Sequence, residues 1–148
     1  MDESRPFPDP GILPTLPAPK PGEKISIRVA GYPPYKEIRA SIRNPHHPRY
    51  SRFVSLRREA AEQMAGRAWT DGAVRLSVTI YAPEFEAKIT LNDYAGGILD
   101  TLDGSHGYTF TYLPIVFQDD CQVTELEERF RVSEEVYYVV KVEFLMSA

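Results

Sequence analysis

Hydrophobic and polar positions recur along the chain with a period that changes from block to block, and those changes mark out the elements. From Ile25 to Ala30 the apolar residues Ile25, Ile27 and Val29 fall on every second position. That predicts a first strand, stopped by Gly31-Tyr32-Pro33-Pro34. Residues 35–49 are polar and basic, with Asn44-Pro45 and His47-Pro48 as loop punctuation. Over 50–67 the period becomes helical. Phe53, Leu56, Ala60, Met64 and Ala65 share one side, while Arg52, Arg57, Arg58, Glu59 and Glu62 turn outward. Leu76, Val78 and Ile80 then alternate with Arg75, Ser77 and Thr79 in a second strand over 74–82.

A second helix is predicted over 91–103. Its apolar stripe is Leu91, Tyr94, Ala95, Ile98, Leu99 and Leu102, and Gly104 is placed to cap it. After a loop over 104–116 rich in Gly and Tyr, residues 122–132 read as a strand with Val123 and Leu126 among charges. The last strand, 136–145, is the most apolar. The short link Ser133-Glu134-Glu135 predicts that these two strands form a hairpin. The order β-α-β-α-β-β predicts a small α/β (α+β) domain with a mixed sheet and two main helices on one face.

Composition changes this picture at the N-terminus. Residues 1–24 hold seven of the thirteen prolines and no apolar periodicity, which predicts an extended, flexible arm ahead of a single domain over 25–148. No apolar run reaches the length of a membrane helix, and the acidic, proline-rich start resembles no secretory signal. The expected setting is cytoplasmic, with no membrane partner. The lone cysteine, Cys121, excludes an internal disulfide, and His46, His47 and His106 do not share a zinc-ligand spacing with it.

The net charge of −4 hides an asymmetry. Residues 25–67 carry nine Lys/Arg against three Asp/Glu, and residues 68–148 carry five against fourteen. The basic half supplies a candidate phosphate-tracking set, Lys36, Arg39, Arg43, Arg49, Arg52, Arg57 and Arg58, interleaved with Tyr32, Tyr35 and Tyr50. A solvated basic face is the plain alternative.

The acidic half supplies candidate metal chemistry. Asn92 and Asp93 open the second helix, Asp100 follows seven residues after Asp93, and Asp119-Asp120 precedes a strand. Hard cations such as Mg²⁺ take oxygen ligands of this kind, and hydrolysis of phosphodiesters uses them. The bland readings are helix capping for Asn92 or Asp93 and an ordinary turn for Asp119-Asp120. Gly96-Gly97, inside the same helix, needs a reason of its own, because each glycine there costs about 1 kcal/mol relative to alanine. Close backbone approach of a second subunit, a helix break and drift after a lost catalytic role are the candidates.

Taken together, the element order and the stretches Leu91-Asn92-Asp93, Ile98-Leu99-Asp100-Thr101-Leu102-Asp103-Gly104 and Phe117-Gln118-Asp119-Asp120-Cys121-Gln122-Val123 resemble the RusA family of Holliday junction resolvases. The resemblance spans 25–148 and is closest in the second half. It implies a homodimer acting on branched DNA as an Mg²⁺-dependent endonuclease. Asp120, Asp93 and Asn92 would be catalytic and metal-binding, with Asp119 as a further ligand and Asp100 nearby. The family opens its helix with Asp-x-Asp-Asn and places a lysine four residues after the second Asp. Here those positions hold Thr90, Asn92 and Gly96, or, with the register slid by one, Leu91, Asp93 and Gly97, and neither register restores the set. The resemblance therefore implies either an altered nuclease or the same fold used as a non-catalytic, DNA- or protein-binding dimer.

Overall fold

Residues 14–37, 41–103 and 113–146 are described in the computed structural model of the chain. The elements are β1 (Lys24–Ala30), α1 (Tyr50–Met64), β2 (Val74–Ala82), α2 (Leu91–Leu102), β3 (Val123–Val132) and β4 (Tyr137–Phe144), with a single 3₁₀ turn, Asp120–Gln122, just ahead of β3. The four strands form one mixed sheet in the order β1-β4-β2-β3, with β2 parallel to β3 and antiparallel to β4. The domain is α+β, and no helix among the described residues is long and apolar enough to cross a membrane.

Period-two patterning decides which face is covered. Ile25, Ile27 and Val29 of β1, Val74, Leu76, Val78, Ile80 and Ala82 of β2, and Tyr138, Val140, Val142 and Phe144 of β4 are all buried. Register aligns them on one face, for example Ile27 beside Val140 and Val140 beside Val78. The helices cover that face with Leu56, Ala60 and Met64 from α1 and Tyr94, Ile98 and Leu102 from α2. The opposite face carries Arg28, Arg75 and Lys141 and stays open.

The expected hairpin does not form: β2 lies between β3 and β4, and the link 133–136 passes over its end, where the Ser133 amide donates to the Ala82 carbonyl at 2.9 Å. Burial explains the order. The inner face of β4 is wholly apolar, so the strand belongs in the middle, bonded on both sides. β3 is charged on one face and only half apolar on the other, which suits an edge.

Residues 14–23, expected as part of a free arm, lie against the domain. The Thr15 and Leu16 amides donate to the Gly66 carbonyl at 3.1 and 3.0 Å, and Gly22 donates to Phe144 at 2.7 Å. Helix α1 ends at Met64, short of the expected residue 67, because Ala65 turns left-handed at φ 53°. Gly104, expected as the cap of α2, lies outside the described residues, and Asp103 takes that position.

The glycine pair has a local cause. A Cβ on Gly97 would lie 2.3 Å from the Pro34 carbonyl oxygen and 2.5 Å from Tyr35 Cα, so α2 sits directly on the backbone of the 33–36 segment. The Lys36 amide donates to the Asp93 carbonyl at 3.0 Å and holds the two together. Gly96 meets only the Lys36 side chain, at 3.2 Å. Close backbone approach is therefore the reason for Gly97, and the approaching backbone belongs to this same chain. Gly97→Ala is expected to lower stability by about 1–3 kcal/mol through overpacking, despite the gain in helix propensity. Gly96→Ala should be near neutral, because a flexible lysine can yield. Urea unfolding of both variants checks the contrast.

Candidate functional site

Helix α2 begins with a capping box. The Thr90 hydroxyl accepts from the Asp93 amide at 3.2 Å, and the Asp93 carboxylate accepts from the Thr90 amide at 2.9 Å. Asp93 thus has a structural task at the helix start, with exposed Asn92 beside it. Ten residues further on, about 15 Å along the helix axis at 1.5 Å per residue, stands a different group. There Asp100, Asp103 and Asp120 bring one carboxylate oxygen each to within 4.8 Å of one another. The structure therefore places Asp120 with Asp100, and leaves Asn92 and Asp93 at the other end of α2.

The C-terminus of α2 dictates this geometry. The last four carbonyls of a helix have no partner within it. Here the Leu99 carbonyl accepts from the Asp103 amide at 3.1 Å, and the Leu102 carbonyl accepts from Ile115 and Val116, both at 3.2 Å. The Asp100 carbonyl accepts from Arg43 Nε and Nη2 at 3.0 and 2.6 Å. The Thr101 carbonyl accepts from Arg57 Nη1 at 2.9 Å, while Arg57 Nη2 reaches the Leu113 carbonyl at 2.6 Å. Arg43 Nη2 also lies 2.5 Å from Asp103 Oδ1.

Asp103 is 2% exposed. Burial pushes its carboxyl up to about 9, a hydrogen bond shared with Asp120 adds to the rise, and Arg43 works against it. Asp103 thus favours its protonated form, at a helix end whose dipole is negative.

The 3₁₀ turn sets Asp120 in place. The Asp119 carboxylate accepts from the Cys121 amide at 3.0 Å. The Gln122 side chain accepts from the Gln118 and Asp119 amides at 2.9 Å and donates to Thr70 and Gly72 carbonyls at 2.8 and 2.9 Å. Asp119 is thereby committed to the turn, and Asp120 is exposed at the edge of the acidic group. Asp103 did not stand out in the sequence as a ligand. Its spacing of three from Asp100 was the available signal, since such residues neighbour each other on a helix.

The basic set divides by role. Arg57 is fully buried and Arg43 partly buried, and both donate to carbonyls at the end of α2. Arg52 forms a two-pronged pair with Glu86 at 2.7 and 2.9 Å. It lies 5.8 Å from the ring centroids of both Tyr32 and Tyr35. Arg49 sits 5.3 Å over the Tyr35 ring. Lys36 is exposed and Arg58 half-buried, while Arg39 lies outside the described residues.

No motif or spacing points to the group centred on Glu86, which also accepts from the Tyr94 hydroxyl at 2.7 Å. It ties α1, α2 and the loop after β2 together. No family model matches the chain, and no curated protein matches it either.

Burial alone would raise the Glu86 carboxyl, but hydrogen bonds from Arg52 and Tyr94 outweigh it and hold the group below its ordinary 4.5. A depressed carboxyl contributes stability that is present above the unfolded value and is lost as pH falls through the folded one. Glu86→Gln is therefore expected to cost about 1–2 kcal/mol at pH 7. The wild-type advantage should shrink as the pH is lowered below 4.5. Urea unfolding of both proteins at neutral and acid pH measures this.

Proposed function

We propose that this chain is a RusA-like protein that binds branched DNA and holds a divalent cation at Asp100, Asp103 and Asp120, serving as a structure-specific endodeoxyribonuclease. One observation carries the reading: three carboxylate oxygens within 4.8 Å of each other, on a stretch that resembles the family's Asp-x-Leu and Asp-Asp segments. The donor set fits Mg²⁺ or Mn²⁺, which take carboxylate oxygens. A bound cation there would supply charge to activate water and to stabilise the leaving oxygen of a phosphodiester. The chain's own residues do the rest: Arg43 orients Asp103, the 3₁₀ turn presents Asp120, and exposed Lys36 and half-buried Arg49 are left to meet phosphates. The Lys36 stem lies across Gly96, one of the two positions at which the resemblance would set the family's lysine.

A second reading is the same fold binding DNA or protein without cleavage. It is favoured by the capping duties of Asp93 and Asp119, which remove two expected ligands from the acidic group. The nuclease reading would set the protein in cytoplasmic DNA repair or recombination.

Mn²⁺ and Mg²⁺ titrations of the pure protein, with and without a four-way DNA junction, test the proposal. The nuclease reading expects strand cleavage that requires the cation and falls at least a hundredfold in Asp120→Asn. Junction binding that ignores both the cation and Asp120→Asn, but weakens with salt and in Lys36→Ala, would favour the second reading.

A further inference from the structure

The two edges of the sheet are unlike. The inner residues of β1, Ile25, Ile27 and Val29, are buried, and no exposed large hydrophobic residue belongs to that strand. At the other edge, three of the five exposed large hydrophobics among the described residues gather: Leu126 at 40%, Val132 at 83% and Phe85 at 42%. Phe85 stacks on Phe130 of β3 with centroids 4.1 Å apart. β3 pairs only with β2 among the described strands, so a ten-residue backbone edge is left open. Long edges with apolar flanks invite another strand.

The charges of β3 say which strand fits. Its sequence, Val-Thr-Glu-Leu-Glu-Glu-Arg-Phe-Arg-Val, is complementary to itself when reversed about Glu128. In that register Glu125 lies opposite Arg131 of the partner subunit, and Glu127 lies opposite Arg129 of the partner subunit. Both pairs are on the open face, where β3 residues stand beside Arg75, Ser77, Thr79 and Tyr81 of β2. On the helix-covered face, Leu126 lies opposite Phe130 of the partner subunit. Sliding by two residues in either direction loses opposite-charge pairs and sets Leu126 against Glu128 or Val132. Cross-strand pairs of this kind stabilise an antiparallel ladder, and opposite charges favour it over like ones.

We propose that β3 is the contact edge between two copies of this chain, the two strands running antiparallel about a two-fold axis at Glu128 so that the sheets join into one. The proposal requires nothing of the nuclease reading. Glu128 faces its own copy at the axis, and burial already pushes its carboxyl up. Like charges there weaken the pairing, so removing them should tighten it.

Thiol cross-linking tests the register in the full chain. In a Cys121→Ser background, Glu128→Cys should form a disulfide-linked dimer on mild oxidation. Directly opposed residues of an antiparallel pair have Cα atoms about 4.5–5.5 Å apart, within disulfide reach of about 4.4–6.8 Å. Leu126→Cys in the same background should cross-link at least tenfold more slowly. Sedimentation tests the charges without introduced thiols. The wild type should dimerise, and Glu128→Gln should dimerise more tightly. An acidic variant (Arg129→Glu with Arg131→Glu) and a basic one (Glu125→Arg with Glu127→Arg) should each self-associate at least tenfold less, and their mixture should recover the dimer. A wild type that stays monomeric, variants that dimerise alone as well as it does, or a Leu126→Cys chain that cross-links as fast as Glu128→Cys would overturn the proposal.

Discussion

The C-terminal carbonyls of α2 draw Arg43, Arg57 and the 115–116 segment around the end of the helix. They end beneath the domain, where water does not reach them all, and an unmet buried carbonyl costs about 1–3 kcal/mol. Arg57 is sunk completely to reach Thr101, Arg43 reaches Asp100, and the segment 115–116 returns to meet Leu102. Once these bonds are made, Asp100 and Asp103 have little freedom, and Asp103 is carried into a buried position beside Asp120. The acidic group is thus a consequence of how the helix end is satisfied.

The same constraint changes the meaning of the basic stretch. A run of arginines between the first strand and the first helix reads as a surface for phosphates. Two of them are committed to the carbonyls at the end of α2, and a third is held by Glu86. What remains for a polyanion is a smaller set, Lys36 and Arg49 foremost, placed toward the start of α2 rather than its end.

The regular elements were legible because their patterns are local. β2 begins and ends where the alternation of Leu76, Val78 and Ile80 places it, and α2 follows its apolar stripe to within a residue. The mixed sheet with two helices follows from element order. What the pattern did not carry was non-local. Strand order depends on which strand can be buried on its inner face and bonded on both edges, so β2 took the place beside β4 that a short link reserves for β3. Gly97 could be seen to need a reason, but only the fold shows Pro34 pressing on it. At the site, Asp100 and Asp120 were legible as acids in a familiar pattern. Asp103 was hidden as the end of a helix, and Asp93 has a capping duty that one sequence alone does not distinguish from metal binding.

Asp100, Asp103 and Asp120, gathered by the pinned end of α2, are the proposed cation site of this protein. Crystals soaked in Mn²⁺ and measured for anomalous scattering test it most directly. A strong difference peak is expected among these three carboxylates, with Arg43 drawn away from Asp103, and no peak beside Asn92 and Asp93. A peak at the start of α2, or none at the acidic group, would contradict it.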